Sequence, residues 1–378
     1  MTKTTDFDFN FPSELIAHEP AVERDKSRLM VLNRQAQTVE HKHFYDIIDY
    51  LNSGDLLVLN DTKVMPANLV GKKVEGGGKV EVLLVNPGEQ KIQDQSTKFK
   101  TNPKIKDQCQ KWKCLVRPGK RLKVGSKVRF GEGQLIGTVL EKLEGGEQII
   151  KFESEGKFWE VVHELGEVPL PPYIKSLKFK DQSAKQAQNY KDQRSKRYQT
   201  VYAEKEGASA APTAGLHFTP ELLEKIKAKG VRVAYVTLHT GLGTFLPVRT
   251  EKIEDHPMHE EYFEIPDETV KAVEKAKRVI AVGTTAVRTL ETVFNSSPNP
   301  LLLEREGGGK VGRSKLFIYP GYKFKVVDAL ITNFHWPKST LIMLVSALAG
   351  KDFIMKAYQE AIQEKYRFFS FGDAMFIL

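Results

Sequence analysis

The chain has 378 residues, 40% of them hydrophobic and 28% charged. This is a globular composition, and it excludes the disordered and fibrous classes. A chain this long buries roughly three quarters of its unfolded surface and needs no covalent staple. Its two cysteines, Cys109 and Cys114, are too few for a disulfide scaffold or a four-thiolate zinc site.

The net charge is +9. Residues 98–129 hold twelve Lys and Arg against Asp107 alone, and residues 175–197 hold eight against Asp181 and Asp192. The rest of the chain is net acidic. Concentrated positive charge suits a polyanion such as RNA; the plainer reading is a pair of solvated loops. The N-terminus, MTKTTDFDFNF, has acids where a signal peptide has bases. The longest apolar run, LIMLVSALA (341–349), is too short to span a membrane. The expectation is a soluble, cytoplasmic protein with no membrane partner.

Along the chain, FYDIIDYL (44–51) reads as helix and DLLVLN (55–60) as a buried strand. Between 68 and 155, short β-type runs alternate with Gly-rich or Pro-Gly turns. They are KVEVLLV (79–85), KWKCLV (111–116), KVRF (127–130), QLIGTVLEKL (134–143) and EQIIKF (147–152). This spacing predicts a small barrel or sandwich. The run 89–108 reads as a loop within it, and 169–200, opening on PLPPY, as an exposed segment. From 201 onward strands and helices alternate. Thr219-Pro220 opens a helix that Gly230 stops. Strands VRVAYVTL (231–238) and VIAV (279–282) follow, with helix DETVKAVEKAKR between them. EREGGGKVGRSK (304–315) reads as a loop, LFIY (316–319) as a strand, and VVDALITNF (326–334) as a strand entering another helix. The pattern is α/β with a largely parallel sheet, over 1–67 and 156–378, interrupted by a β unit at 68–155.

The chain carries no Walker A, HExxH, GxSxG or complete GxGxxG motif. HTGLGTF (239–245) places Gly241, Gly243 and Thr244 after a strand, as a ligand loop or a tight turn. In GTTAVR (283–288), Thr284 or Thr285 caps a helix whose amides suit an anion, with Arg288 a turn further on. Asp61 and Thr62 end the strand DLLVLN, as turn residues or ligand contacts. His217, His239, His256 and His335 end strands or flank Gly/Pro-rich loops, and His259 with Glu261 follows His256. Such placement suits a shared cleft with acid–base chemistry. Metal ligation by His239, His256 and His259 fits no common zinc spacing, so no metal is expected.

Read together, these segments resemble one family. They are LLVLNDTKVMPANLVGKK (56–73), PLPPYI (169–174), RYQTVYA (197–203), AAPTAGLHFT (210–219), VTLHTGLGTFLPVR (236–249), HPMHEEY (256–262), VGTTAVRTLE (282–291), the long block 317–350 and YRFFSFGDAM (366–375). The chain is similar to the S-adenosylmethionine:tRNA ribosyltransferase-isomerases of queuosine biosynthesis (the QueA family). It departs from that pattern at Lys196, Thr240 and Trp336. The resemblance implies a large mixed α/β, barrel-like domain with an inserted small antiparallel Greek-key β-barrel. It implies transfer and isomerisation of the ribosyl part of S-adenosyl-L-methionine onto 7-aminomethyl-7-deazaguanine, at the wobble position of tRNA with a GUN anticodon. Epoxyqueuosine-tRNA, adenine and methionine would be the products, and a monomer the working form. Under this reading His239, His256, His259, Glu261, His217 and His335 are the candidate acid–base groups. Gly241, Gly243, Thr244, Thr284, Thr285, Arg288, Asp61 and Thr62 are the candidate donor contacts. The other readings are a non-catalytic RNA-binding protein and a His-ligated metal-dependent hydrolase.

Overall fold

A computed structural model describes residues 2–87, 109–143, 146–175, 193–241, 247–295, 302–304 and 308–378. Gly243, Thr244, the polar run 89–108 and residues 176–192 lie outside the described residues. The chain divides into two compact units: Met1–Lys63 with Leu170–Leu378, and Val64–Pro169.

The first unit is built on a ten-stranded mixed sheet. Four strands at its centre run parallel, in the spatial order Arg232–Leu238, Asp55–Asn60, Arg278–Val282 and Ala329–Asn333. Antiparallel neighbours extend the sheet on both sides. Beyond Arg232–Leu238 come Glu261–Ile265, Lys310–Ser314 and Leu302–Glu304. Beyond Ala329–Asn333 come Ala374–Ile377, Arg28–Asn33 and Thr38–His43, of which Arg28–Asn33 runs parallel to its neighbour Ala374–Ile377.

All six residues of Asp55–Asn60 are buried, as a strand covered on both faces requires. The period of two splits its side chains between two cores. Leu56 and Val58 pack with Val287 and Leu290 of the helix Thr284–Val293 and with Ile342 and Ile354 of the C-terminal helices. Leu57 and Leu59 pack with Phe44, Ile47, Leu222 and Ile226. The sheet therefore lies between two layers of helix. Helix Pro220–Ala228 starts as the sequence predicts: the Thr219 hydroxyl accepts the Leu222 N–H at 3.1 Å, with Pro220 at the first helical position.

In the second unit, six antiparallel strands close on themselves. In chain order they are Asn68–Lys73, Lys79–Pro87, Cys109–Arg117, Lys127–Phe130, Leu135–Lys142 and Glu147–Ser154. The third pairs with the sixth and the fourth returns to pair with the first, which is a Greek-key barrel. Alternate residues fill the interior, among them Val82, Trp112, Phe130, Val139 and Phe152. The closing seam needs a glycine: a Cβ on Gly71 would lie 2.6 Å from both the Phe130 ring and the Arg129 carbonyl. The compact unit extends past the expected edge at 155. Helix Phe158–Leu165 buries Phe158, Val161 and Val162 in the barrel core, and Gly166–Glu167 pairs with Asn68 and Leu69.

Three local readings are corrected. The strand expected at 316–319 is instead Lys310–Ser314, inside the segment read as a loop, and it pairs with Glu261–Ile265 with Gly312 opposite Phe263. The segment 44–51 forms a 3₁₀ helix, Phe44–Tyr50. The described ends of 169–200 are not an exposed segment: Ile174 and Tyr198 are fully buried, and Arg194 donates to the Ile174 carbonyl and to Glu19. Arg197 is likewise turned inward, bonding the Ala21 and Val22 carbonyls. Two of the basic charges counted there hold the fold.

Candidate active site

The four parallel strands end together on one edge of the sheet, where α/β folds place their ligands. Asn60, fully buried, knits this edge. Its Oδ1 accepts the Leu238 N–H (3.0 Å) and the Thr62 N–H (3.2 Å), and its Nδ2 donates to the Leu238 carbonyl (3.1 Å) and Thr285 Oγ1 (3.0 Å). One side chain thus fixes two strand ends and the start of helix Thr284–Val293. The turn into that helix passes through Gly283 at φ +85°, a conformation that favours glycine. Its N-cap, Gly283, brings no side chain to cap the helix, so among the described residues its first amides remain as donors.

A pocket opens at this edge, lined by Thr240, Gly283, Thr284, Thr285, Asn333 and His335. Three aromatic rings form one wall. Trp336 stacks on Phe369 with centroids 3.7 Å apart and an interplanar angle of 15°, and Tyr173 meets Phe369 at 5.4 Å and Trp336 at 5.6 Å. Tyr173 Oη and Ser370 Oγ are 2.5 Å apart, and burial pushes the phenol up to about 12. Phe369 has φ +71°, which for a bulky side chain costs on the order of 1–3 kcal/mol. Such strain gathers where a precise surface is required.

Asp61 and Thr62 follow Asn60. The Thr237 hydroxyl donates to Asp61 Oδ1 at 2.6 Å, and burial raises the carboxyl above its ordinary range despite that bond. Thr62 Oγ1 lies 2.8 Å from His239 Nδ1. The His239 ring stacks on Tyr262 at 5.7 Å. A Cβ on Gly207 would come within 2.5 Å of the ring, so glycine there lets the backbone pass. Burial lowers the His239 imidazole below its usual 6.5; nearby Glu264 opposes this and Lys205 adds to it. Its Nε2 has no hydrogen-bond partner among the described residues.

Arg288 and Glu261 are neither surface charge nor free acid. They form a buried ion pair, and Glu261 Oε1 also accepts the Gly241 amide at 3.1 Å. Arg288 further donates to the Leu316 and Ser314 carbonyls. The pair fixes the position of Gly241.

The five histidines do not line this pocket together. Of the five, His335 alone is among the lining residues of this pocket. It sits 2.8 Å from Thr332 Oγ1, and burial pushes it down to about 3. His217 turns into the core, stacked on Phe44 at 5.0 Å, with both ring nitrogens bonded, and burial takes it to about 4. His256 packs edge-on against Phe317, and His259 is exposed. A loop position at a strand end does not fix the direction of the ring. Among the described residues no three His, Cys, Asp or Glu side chains converge as metal ligands. The hydrolase reading on His239, His256 and His259 finds no support there.

Asn60, Asn333 and the aromatic wall went unread in the sequence. Both asparagines close an apolar run at the end of a parallel strand (DLLVLN, ALITN), a signal that marks them. Of the wall, Phe369 reads as core because aromatic runs usually are, Tyr173 falls in the segment read as exposed, and Trp336 stands out only as a departure from the family pattern.

Among the described residues no helix is long and apolar enough to cross a membrane. The chain matches the queuosine biosynthesis protein family over residues 4–377. It is 50% identical, over 99% of each chain, to the S-adenosylmethionine:tRNA ribosyltransferase-isomerase of Clostridioides difficile (strain 630). It is 40% identical to the crystal structure of S-adenosylmethionine tRNA ribosyltransferase from Thermotoga maritima, covering 99% of this chain and 100% of that one with a TM-score of 0.51. Matched from end to end, the chain belongs to the queuosine biosynthesis protein family.

Proposed function

We propose that this chain transfers and isomerises the ribosyl moiety of S-adenosyl-L-methionine onto 7-aminomethyl-7-deazaguanine at the wobble position of tRNA. The products are epoxyqueuosine-tRNA, adenine and methionine. The observation that carries this reading is the full-length likeness to the Clostridioides difficile enzyme. The substrate tRNA has a GUN anticodon, and the enzyme acts as a cytoplasmic monomer.

The sulfonium acidifies the adjacent 5′ methylene, and a positioned base removes its proton. The electron pair so released opens the ribose ring to a vinyl sulfonium and an aldehyde as the bond to adenine breaks. The amine of the deazaguanine adds to the vinyl sulfonium, and the carbanion this forms closes the carbon ring onto the aldehyde. The resulting alkoxide displaces methionine to form the epoxide. His239 is the best candidate base. Burial favours its neutral form, Thr62 holds Nδ1, and Nε2 is without a partner among the described residues. A departing adenine needs a proton. The buried histidines are poor sources, since burial lowers them. Asp61, with its carboxyl raised, is the better candidate acid. Glu261 and Arg288 act by holding Gly241, and Thr284 with the amides of its helix offers donors to an anionic group. His256 and His259 remain candidates for contacts with the nucleotide.

The barrel supports an RNA contact of its own. Lys72 lies directly opposite Lys79 on one side and Arg129 on the other, and all three are exposed. Like charges facing across strands repel. Glu81 lies 3.5 Å from Lys79, while Lys72 and Arg129 form no salt bridge among the described residues. A phosphate backbone relieves that repulsion. The test of the whole reading is adenine release: chromatography of a mixture of protein, S-adenosyl-L-methionine and precursor tRNA should show adenine only when all three are present. A non-catalytic RNA binder would bind the tRNA and release none.

A further inference from the structure

The pocket at the sheet edge has unmet hydrogen-bonding demands of both signs. Asn333 is 3% exposed, and its Nδ2 donates to the Phe369 carbonyl (3.2 Å) and to His217 Nε2 (3.1 Å). A carbonyl can only accept, so the amide orientation is fixed. His217 then accepts at Nε2 and carries its proton on Nδ1, which donates to Ser27 Oγ (2.7 Å); Ser27 in turn donates to the Arg24 carbonyl (3.2 Å). Every donor in this chain points away from the pocket. Asn333 lines the pocket, and its Oδ1 is a buried acceptor without a partner among the described residues. Thr240, 4% exposed, also lines the pocket, and its Oγ1 has no partner among the described residues. Opposite in character is the uncapped start of helix Thr284–Val293, which offers donors. The site therefore asks for a donor at Asn333 and an anion at the helix.

Size narrows the occupant. The cavity measures about 50 Å³ as the space open to the centre of a water molecule. One water needs roughly 10–15 Å³ on that measure, so the cavity suits a group of a few heavy atoms and is too small for a nucleoside.

We infer that this pocket holds the α-amino-acid head of the donor, with the ammonium on Asn333 Oδ1 and the carboxylate on the first amides of helix Thr284–Val293. The methylenes leading to the sulfonium then pass along the wall of Trp336, Phe369 and Tyr173, whose ring faces favour a cation. His217 is a positioning residue: it turns Asn333 and touches no substrate. The inference rests on the proposed donor, and it extends to free L-methionine, which carries the same head.

The experiment is calorimetric titration of the full chain with four probes: S-adenosyl-L-methionine, its decarboxylated form, its desamino form and L-methionine. The expected result is about ten- to a hundredfold weaker binding of the decarboxylated and desamino forms, since each loses hydrogen bonds to a charged group. Asn333→Ala should weaken the parent donor tenfold or more and leave the desamino form unchanged. The analogue series on the unaltered protein needs no variant to fold. Binding of both truncated forms within twofold of the parent overturns the inference, as does an equal loss for every probe in Asn333→Ala. Turnover with indifference to the head group removes this inference and leaves the proposed reaction standing. Head-group-dependent binding without adenine release does the reverse.

Discussion

Glu261 and Arg288 form a buried ion pair between the strand Glu261–Ile265 and the helix Thr284–Val293, and the second oxygen of Glu261 accepts the Gly241 amide at 3.1 Å. One carboxylate thus couples the core to a loop at the edge of the sheet. Removing one partner leaves the other charge buried and uncompensated, at a cost of about 3–5 kcal/mol. Glu261→Leu and Arg288→Met should each show that loss in urea unfolding. The double replacement should regain most of the stability, because two apolar side chains leave no orphan charge. It should not regain adenine release, because the Gly241 amide still lacks its acceptor. Full activity in the stable double variant would mean that the pair serves the fold alone.

His239→Ala should lower the rate of adenine release by about 10²–10⁴, the usual contribution of a general base. Thr62→Val should cost less, since it frees Nδ1 without removing the ring. The acidic limb of kcat/KM should lie below pH 6.5: the folded imidazole is lowered, and only protonation inactivates it. A loss of no more than a few fold in His239→Ala would remove it from the role of base.

Stability should also fall with acid for a separate reason. His217 and His335 are buried neutral, with folded values of about 4 and about 3 against 6.5 unfolded. The unfolded chain therefore binds protons first as pH falls below 6.5, and stability drops between there and about pH 4. For His217 the full effect is on the order of 3 kcal/mol. A His217→Gln variant should lose overall stability yet show a flatter fall in melting temperature between pH 6.5 and 4. An unchanged slope would mean that the ring does not become neutral on folding.

The order of strands and helices was largely legible. Alternating runs in the barrel and the all-buried DLLVLN follow directly from period two and from a strand covered on both faces. Lys310–Ser314 was not legible, because KVGRS has little apolar character and owes its strand to pairing with Glu261–Ile265. Leu316 and Phe317 looked like a strand but pack against the core without pairing. At the site, sequence identified the loops and missed the directions. His217 sits in a loop yet points inward, and Phe369 looks like core yet faces a pocket. Such orientation depends on partners distant in the chain: Ser27 and Asn333 for His217, Trp336 for Phe369.

Replacing Lys72 and Arg129 together by Glu should weaken tRNA binding and reduce the slope of log affinity against log salt by about 1 for each phosphate no longer neutralised. Binding of S-adenosyl-L-methionine should not change. Fluorescence anisotropy across a salt series reads both quantities. An unaltered slope would mark this face of the barrel as ordinary solvated surface.

Ribosyl transfer itself is open to one direct measurement. The protein is incubated with S-adenosyl-L-methionine and tRNA bearing 7-aminomethyl-7-deazaguanine, the tRNA is digested, and its nucleosides are weighed by mass spectrometry. The expected result is conversion of the precursor nucleoside to epoxyqueuosine, with one adenine released per product. Unchanged precursor, with the donor intact and no adenine, would contradict it.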